Sequence, residues 1–380
     1  MSTLAQRFHN ALPKGIAFCS LRHSSETTQI LSVHKGVVMP IEDHEDVGYM
    51  VTVHHNGGLG YAASIDDSES GIRDAIQQAM KWAECSVRYP LFSTEEIQLA
   101  HPQGYYQTPI VRPWDSLSLK QKIDMIHDVD TRLAIDERIV DHSASIMSIS
   151  HHSIYLTSGG GNVEQSFSLM APDITAVANQ GSETQVRSFG SRGMSQQGGL
   201  EILERVQFLH ASEQIAREAI QLLEAPNCPT GTMQVILMPD QMMLQLHESI
   251  GHPLELDRIL GDERNYAGTS FVTLDMFGSY RYGSDLLNVT FDPEQETEFA
   301  TYAYDDHGTE AKKQFLIRNG ILERPLGGQI SQVRADITGV ANSRSSSWNR
   351  PPIDRMANLN IEPGASTLQE LISGVSKGVL

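Results

Sequence analysis

β-Branched and aromatic residues crowd positions 48–55 and run into Asn56-Gly57-Gly58, the composition of a strand entering a tight hairpin. The polar cluster Asp66-Asp67-Ser68-Glu69-Ser70 then gives way to Ile72, Ile76, Ala79, Met80 and Ala83, whose spacing predicts an amphipathic helix. Residues 109–114 read as a connector. A second helix starts near Ser116, with Leu119, Ile123, Ile126 and Leu133 on one face. Strand-like composition returns at 144–149, 153–157, 163–169 and 174–179, with Ser158-Gly159-Gly160-Gly161 as a turn, so a meander of antiparallel strands is expected. A helix around Ile215, Ala219, Ile220 and Leu223 closes this portion.

The strongest punctuation in the chain follows, Ala225-Pro226-Asn227-Cys228-Pro229-Thr230-Gly231. Beyond it, the apolar run 234–238 predicts a buried strand, and Asp240 is placed to cap the next helix. The remainder is rich in Gly, Asn, Asp and Pro with short strand-like pieces, such as 313–317 and 321–322 on either side of Asn319-Gly320. The expected architecture is α+β in two domains. Residues 1–225 form a mixed α/β domain with antiparallel strands and a sub-boundary near 109–115; residues 226–380 form a β-rich domain with one functional helix.

Charge narrows the choice of partners. With 28 Lys and Arg against 47 Asp and Glu, the formal net charge is −19, a field that repels phosphate backbones and anionic lipid surfaces. Nucleic acid and membrane are therefore not expected partners. Cys19, Cys85 and Cys228 are widely spaced and odd in number, which points to a reducing compartment rather than a disulfide framework. No apolar run reaches membrane-spanning length, so a cytoplasmic location is expected.

The candidate chemistry sits at His247-Glu248-Ser249-Ile250-Gly251-His252. Imidazole is the commonest zinc ligand, and an adjacent carboxylate can take a proton from an attacking water. The histidines are five apart, however, which leaves them about 140° apart around a regular helix at roughly 100° per residue. A π-bulge brings positions five apart onto one face, so a distorted helix is predicted over 247–252, with Gly251 offering no side chain against the distortion.

The motif continues into Pro253-Leu254-Glu255-Leu256-Asp257, and is followed by Asp305-Asp306-His307-Gly308-Thr309, by residues 316–322, by Pro352-Ile353-Asp354-Arg355-Met356-Ala357-Asn358 and by Glu362-Pro363-Gly364. In order and spacing these segments resemble the TldD/PmbA family of metallopeptidases, also described as modulators of DNA gyrase. The resemblance implies a TldD-type subunit with His247 and His252 as zinc ligands and Glu248 as general base. It further implies cleavage of unfolded peptides or leader segments in a cytoplasmic chamber, and pairing with a PmbA/TldE-type subunit or as a homodimer. Glu255 and Asp257 match an acidic pair of that family.

In the family a third ligand, a cysteine, comes from a segment after the Glu-Pro-Gly strand and its helix. Residues 374–380 stand where that segment would begin, and no cysteine follows Cys228. Two readings stay open: a domain 226–380 that is truncated, or a member that keeps the scaffold without tight metal binding. Glu255 or Asp257 could then act as substitute oxygen ligands. Missing strands would also leave an open apolar face or sheet edge. The alternative function is a metal-free, non-catalytic peptide-binding or partner subunit.

Other motifs carry less. Arg344, within Ser343-Arg344-Ser345-Ser346-Ser347, could hold a peptide carboxylate, and His307 could line the cleft. His54-His55 and His151-His152 point to opposite faces of a strand and do not make ligand pairs. Gly190-Ser191-Arg192-Gly193 lacks the context of a phosphate-binding loop.

Overall fold

The computed structural model describes residues 2–89 and 91–380. Helix α1 (Leu4–Ala11) precedes strand β1 (Phe18–His34), which pairs on one side with β2 (Glu42–His55) and on the other with β5 (Ile139–Thr157). Strand β3 (Gly58–Ser64) returns along β2 and leads to α2 (Glu69–Ser86). Strand β4 (Gln103–Gln107) and helix α3 (Leu119–Thr131) come before β5, and β6 (Asn162–Gln180) follows it. The sheet order is β3-β2-β1-β5-β6-β4, antiparallel except for β4 against β6. Helix α4 (Ser212–Glu224) closes this part.

Each expected element in this region exists, but the strands are longer than composition suggested. The pairs 144–149/153–157 and 163–169/174–179 are single 19-residue strands that stay in register with each other, even Pro172 and Asp173 being paired with Ile146 and Ser145. At Asn56 and Gly57, φ values of +51° and +79° make the primed turn that fits the twist of a hairpin. Helix α2 begins as the polar cluster foretold: the Ser68 side chain accepts from the Gly71 N–H, a cap worth about 1 kcal/mol. Glycine at Gly60 is obligatory, since a Cβ there would lie 2.0 Å from the Ala79 carbonyl.

The helices cover one face of the sheet in two patches. Ile72, Ile76, Ala79 and Ala83 of α2 pack on Cys19, Leu21, Val51 and Val53, while Ile126, Val129, Ile215 and Ala219 pack on Leu31, Val33, Ile146 and Ile174. At roughly 1.5–3 kcal/mol per fully buried branched side chain, these patches fix the sheet's register and hand its opposite face to the C-terminal part of the chain.

There, strand β7 (Val289–Phe291) pairs with β8 (Gln314–Arg318) and with β10 (Leu359–Ile361), and β9 (Ile321–Leu322) adds to β8 through the turn at Asn319-Gly320. This is a small sheet around a separate core that includes Leu254, Phe291, Leu316 and Leu326. The two parts are keyed together by side chains that mimic a strand. Gln165 accepts from the N–H groups of Ala303 and Tyr304 and donates to the Tyr304 carbonyl at 2.9 Å. The Arg22 guanidinium bonds Ser345 and the carbonyls of Ser347 and Arg350.

Two expectations fail. The run 234–238 is not a buried strand. Only Gln234–Val235 of this run forms a strand, paired with Gly378–Val379, and the run is open to solvent, with Val235 55% and Leu237 47% exposed. Nor does Asp240 cap the next helix: Met238 is the N-cap and Pro239 holds the first helical position, where its missing N–H costs nothing. Apolar surface is open nearby, with Met243 49%, Leu244 60% and Leu371 48% exposed.

Candidate metal centre

Helix α5 (Pro239–Leu246) is regular until Leu246, and the backbone then opens into a π turn, His247–Gly251. Its signature bond is the His252 N–H to the His247 carbonyl, five residues back. Leu246, Ile250 and Leu254 face the C-terminal core, which turns the histidines outward. Two local features favour the widened turn. Pro253 has no N–H to give the carbonyl four residues earlier, that of Ser249, and the Tyr282 hydroxyl donates to it instead at 2.5 Å. Gly251 lies so close to Met356 that a Cβ would meet its Sδ at 1.9 Å. Glycine is needed here for a neighbour's approach, a different reason from the conformational freedom inferred from sequence.

The turn brings the two imidazoles together. His247 Nε2 and His252 Nε2 are 3.0 Å apart, with ring planes at 89°. Glu248 Oε1 is 4.0 Å from His247 Nε2, and donor atoms of His247, Glu248 and His252 all lie within 4.8 Å of one another. Two zinc–nitrogen bonds of about 2.0–2.1 Å at a tetrahedral angle place their nitrogens roughly 3.3 Å apart, so the donor set fits zinc with a shift of a few tenths of an ångström. Burial, then the neighbouring His252, holds His247 below the usual histidine range, which keeps its ring in the neutral form that ligates. The Glu248 side chain is 61% exposed and His247 48%, so the group faces solvent.

Glu255 and Asp257 stand outside this group. Glu255 lies on the far side of the His252 ring, its Oε2 receiving Nδ1 at 2.9 Å, with its side chain only 1% exposed between Arg258 and Arg355. Asp257 is clasped to Asp354: each carboxylate accepts the other's backbone N–H, at 3.2 and 3.0 Å. Burial and the facing Asp354 push Asp257 up to about 8. Neither oxygen pair converges with the histidines.

Arg344 and His307 are also separate. Arg344 lines a cavity of about 270 Å³ at the seam between sheet and C-terminal part, with Phe167, Tyr302 and Trp348, and donates to the Met356 carbonyl at 2.9 Å. It is thus one residue removed from Gly251. His307 sits in a tight turn whose Asp305 carboxylate accepts the N–H groups of His307 and Thr309. Its ring lines a different, much smaller space with His54, and burial holds both at about 4.

Sequence reading missed Tyr282 and Arg258, and named Arg355 and Met356 only within a family segment, without a role at the site. The Pro253 imide signals that Ser249 needs a donor, but nothing local identifies Tyr282 as that donor.

Three family profiles match the chain: PmbA/TldA metallopeptidase domain 1 over residues 19–83, the central domain over 112–225 and the C-terminal domain over 230–380. The chain belongs to the PmbA/TldD metallopeptidase family. A metalloprotease of Methanocaldococcus jannaschii is 28% identical over 95% of this chain and 77% of its own length. Among solved structures, a Thermotoga maritima protein described as a modulator of DNA gyrase superposes with a TM-score of 0.77 at 17% identity, covering 97% of this chain and 79% of that one. TldE from Thermococcus kodakarensis superposes at 0.71 and 16% identity, covering 99% and 80%. These likenesses establish the α+β fold of the family. Among the described residues no helix is long and apolar enough to cross a membrane.

Proposed function

We propose that this chain is a zinc-dependent peptidase of the TldD type that hydrolyses peptide bonds in unfolded peptides or leader segments in the cytoplasm. The observation that carries the reading is the π turn that sets His247 Nε2 and His252 Nε2 3.0 Å apart with Glu248 beside them. His247 and His252 hold the ion, and a bound zinc supplies Lewis acidity to the scissile carbonyl. Glu248, exposed beside the histidines, takes a proton from the attacking water and passes it to the leaving amine. An extended peptide can add to the short parallel pair Gln234–Val235 and Gly378–Val379, whose first strand leads into the histidine helix. The open apolar surface around Met243, Leu244 and Leu371 supports pairing with a PmbA/TldE-type subunit or a second copy. A net charge of −19 speaks against a nucleic-acid ligand.

The competing reading is a metal-free partner or peptide-binding subunit. Metal analysis of protein purified without chelator separates the two. The peptidase reading expects one zinc per chain, lost in His247→Ala, and peptide hydrolysis lowered about 10²–10⁴-fold in Glu248→Gln with zinc retained. Protein free of metal and inert towards unfolded peptides would establish the other.

A further inference from the structure

A ligand histidine needs its other ring nitrogen committed, and His252 has an unusually well-built partner. Glu255 follows a break in the helix, with φ −62° and ψ 117°, which drops its side chain behind the His252 ring. Oε2 lies 2.9 Å from His252 Nδ1 and also receives Arg258 Nε at 3.2 Å and Nη2 at 3.1 Å. Oε1 has no hydrogen bond, and the Arg355 guanidinium stands 3.5 Å from it. Arg258 is itself anchored on the Ala267 carbonyl at 2.7 Å. The carboxylate is thus gripped from two sides and almost fully buried, so it has one way to point.

We propose that Glu255 is a positioning residue: by accepting the His252 Nδ1–H it fixes the tautomer in which the Nε2 lone pair is free and turned towards His247. A carboxylate between two arginines can only accept, so the opposite tautomer would leave Nδ1 facing a second acceptor. Arg258 Nη2 lies 3.4 Å from Nδ1, but a lone pair on Nδ1 would also face the Glu255 carboxylate oxygen at 2.9 Å, so the nearer acceptor decides the tautomer. Arg258 and Arg355 act at one further remove, by holding Glu255. The assignment rests on reading 247–252 as a metal site, but its first test needs no metal.

In metal-free protein labelled with ¹⁵N-histidine, the His252 ring, assigned by comparison with His252→Gln, should carry its proton on Nδ1. A proton on Nε2 would overturn the proposal. Titration with zinc against a chromophoric chelator should then show Glu255→Gln binding 10–100-fold more weakly than the wild type, while circular dichroism shows the metal-free variant folded, at a lower melting temperature because Arg258 and Arg355 lose their counter-charge. Wild-type affinity in a folded Glu255→Gln also overturns it. Should that variant not fold, the wild-type tautomer decides alone. Should the wild type bind no zinc at all, the peptidase reading falls while the tautomer is still measured.

Discussion

Substituting Gly251 by alanine tests the packing that shapes the π turn. On an ordinary helix this exchange stabilises by up to about 1 kcal/mol, because glycine loses more backbone freedom on folding. Here the new methyl would meet Met356 Sδ at 1.9 Å, Met356 Cγ at 2.9 Å and Leu359 Cδ1 at 3.2 Å. Met356 cannot swing away freely, since it packs against the C-terminal core and its carbonyl holds Arg344. Overpacking of one carbon in such a site costs about 1–3 kcal/mol, so the net expected change is a loss of up to about 2 kcal/mol. Urea denaturation of the metal-free protein, followed by circular dichroism, measures it. In a Met356→Ala background the clash disappears and Gly251→Ala should recover the helical gain, giving an interaction energy of about 1–3 kcal/mol across the cycle. A gain of about 1 kcal/mol in the Met356 protein, with zinc affinity unchanged, would refute the argument that this close approach dictates the glycine.

Tyr282→Phe removes the donor that replaces the missing Pro253 N–H and leaves the Ser249 carbonyl unpaired; a loss of about 1–3 kcal/mol by denaturation and weaker zinc binding are expected, while a neutral result would mean that water reaches the carbonyl. The Asp257–Asp354 clasp predicts a pH effect of definite sign. Because burial and Asp354 raise the native-state pKa of Asp257 to about 8, the folded chain holds a proton that the unfolded chain releases near 4. Its contribution is therefore complete below about pH 4 and is lost as pH rises from there through about 8, at up to about 1.36 kcal/mol per unit, with no further change above. Asp257→Asn should flatten the stability profile between about pH 5 and 8; an unaltered slope there would assign the proton elsewhere.

How far the sequence spoke for the fold depended on whether a signal was local. Ser68 and the apolar spacing after it are local, and α2 begins where they place it. Strand β1 carries Arg22, His23, Ser24, Ser25, Glu26, Thr27 and Thr28 through its middle and gave no strand signal, because both its faces there are polar: Arg22, Ser24 and Glu26 line the seam, and Thr27 lines a second, polar cavity with Ser148, Ser150 and Ser166. Its 17 residues are held by pairing on both sides, with β2 and β5, a non-local cause that no window of composition contains. The exposed run 234–238 fails for the converse reason. Its hydrophobicity is plain, but burial is a property of what packs against it.

The candidate site divides along the same line. A spacing of five forces a choice between diverging rings and a widened turn, and that choice could be made from helix geometry alone; the structure has the π turn. What makes the turn tenable is spread across 110 residues of chain. Tyr282 satisfies a carbonyl orphaned by Pro253, Met356 fills the space that Gly251 vacates, and Arg355 flanks the carboxylate that receives His252. Met356 and Arg355 adjoin Asp354, which clasps Asp257, so the segment 354–356 touches the histidine segment at three successive points. A substitution there acts on the ligands through packing and charge without meeting substrate, and the hexapeptide motif taken alone holds no trace of that dependence.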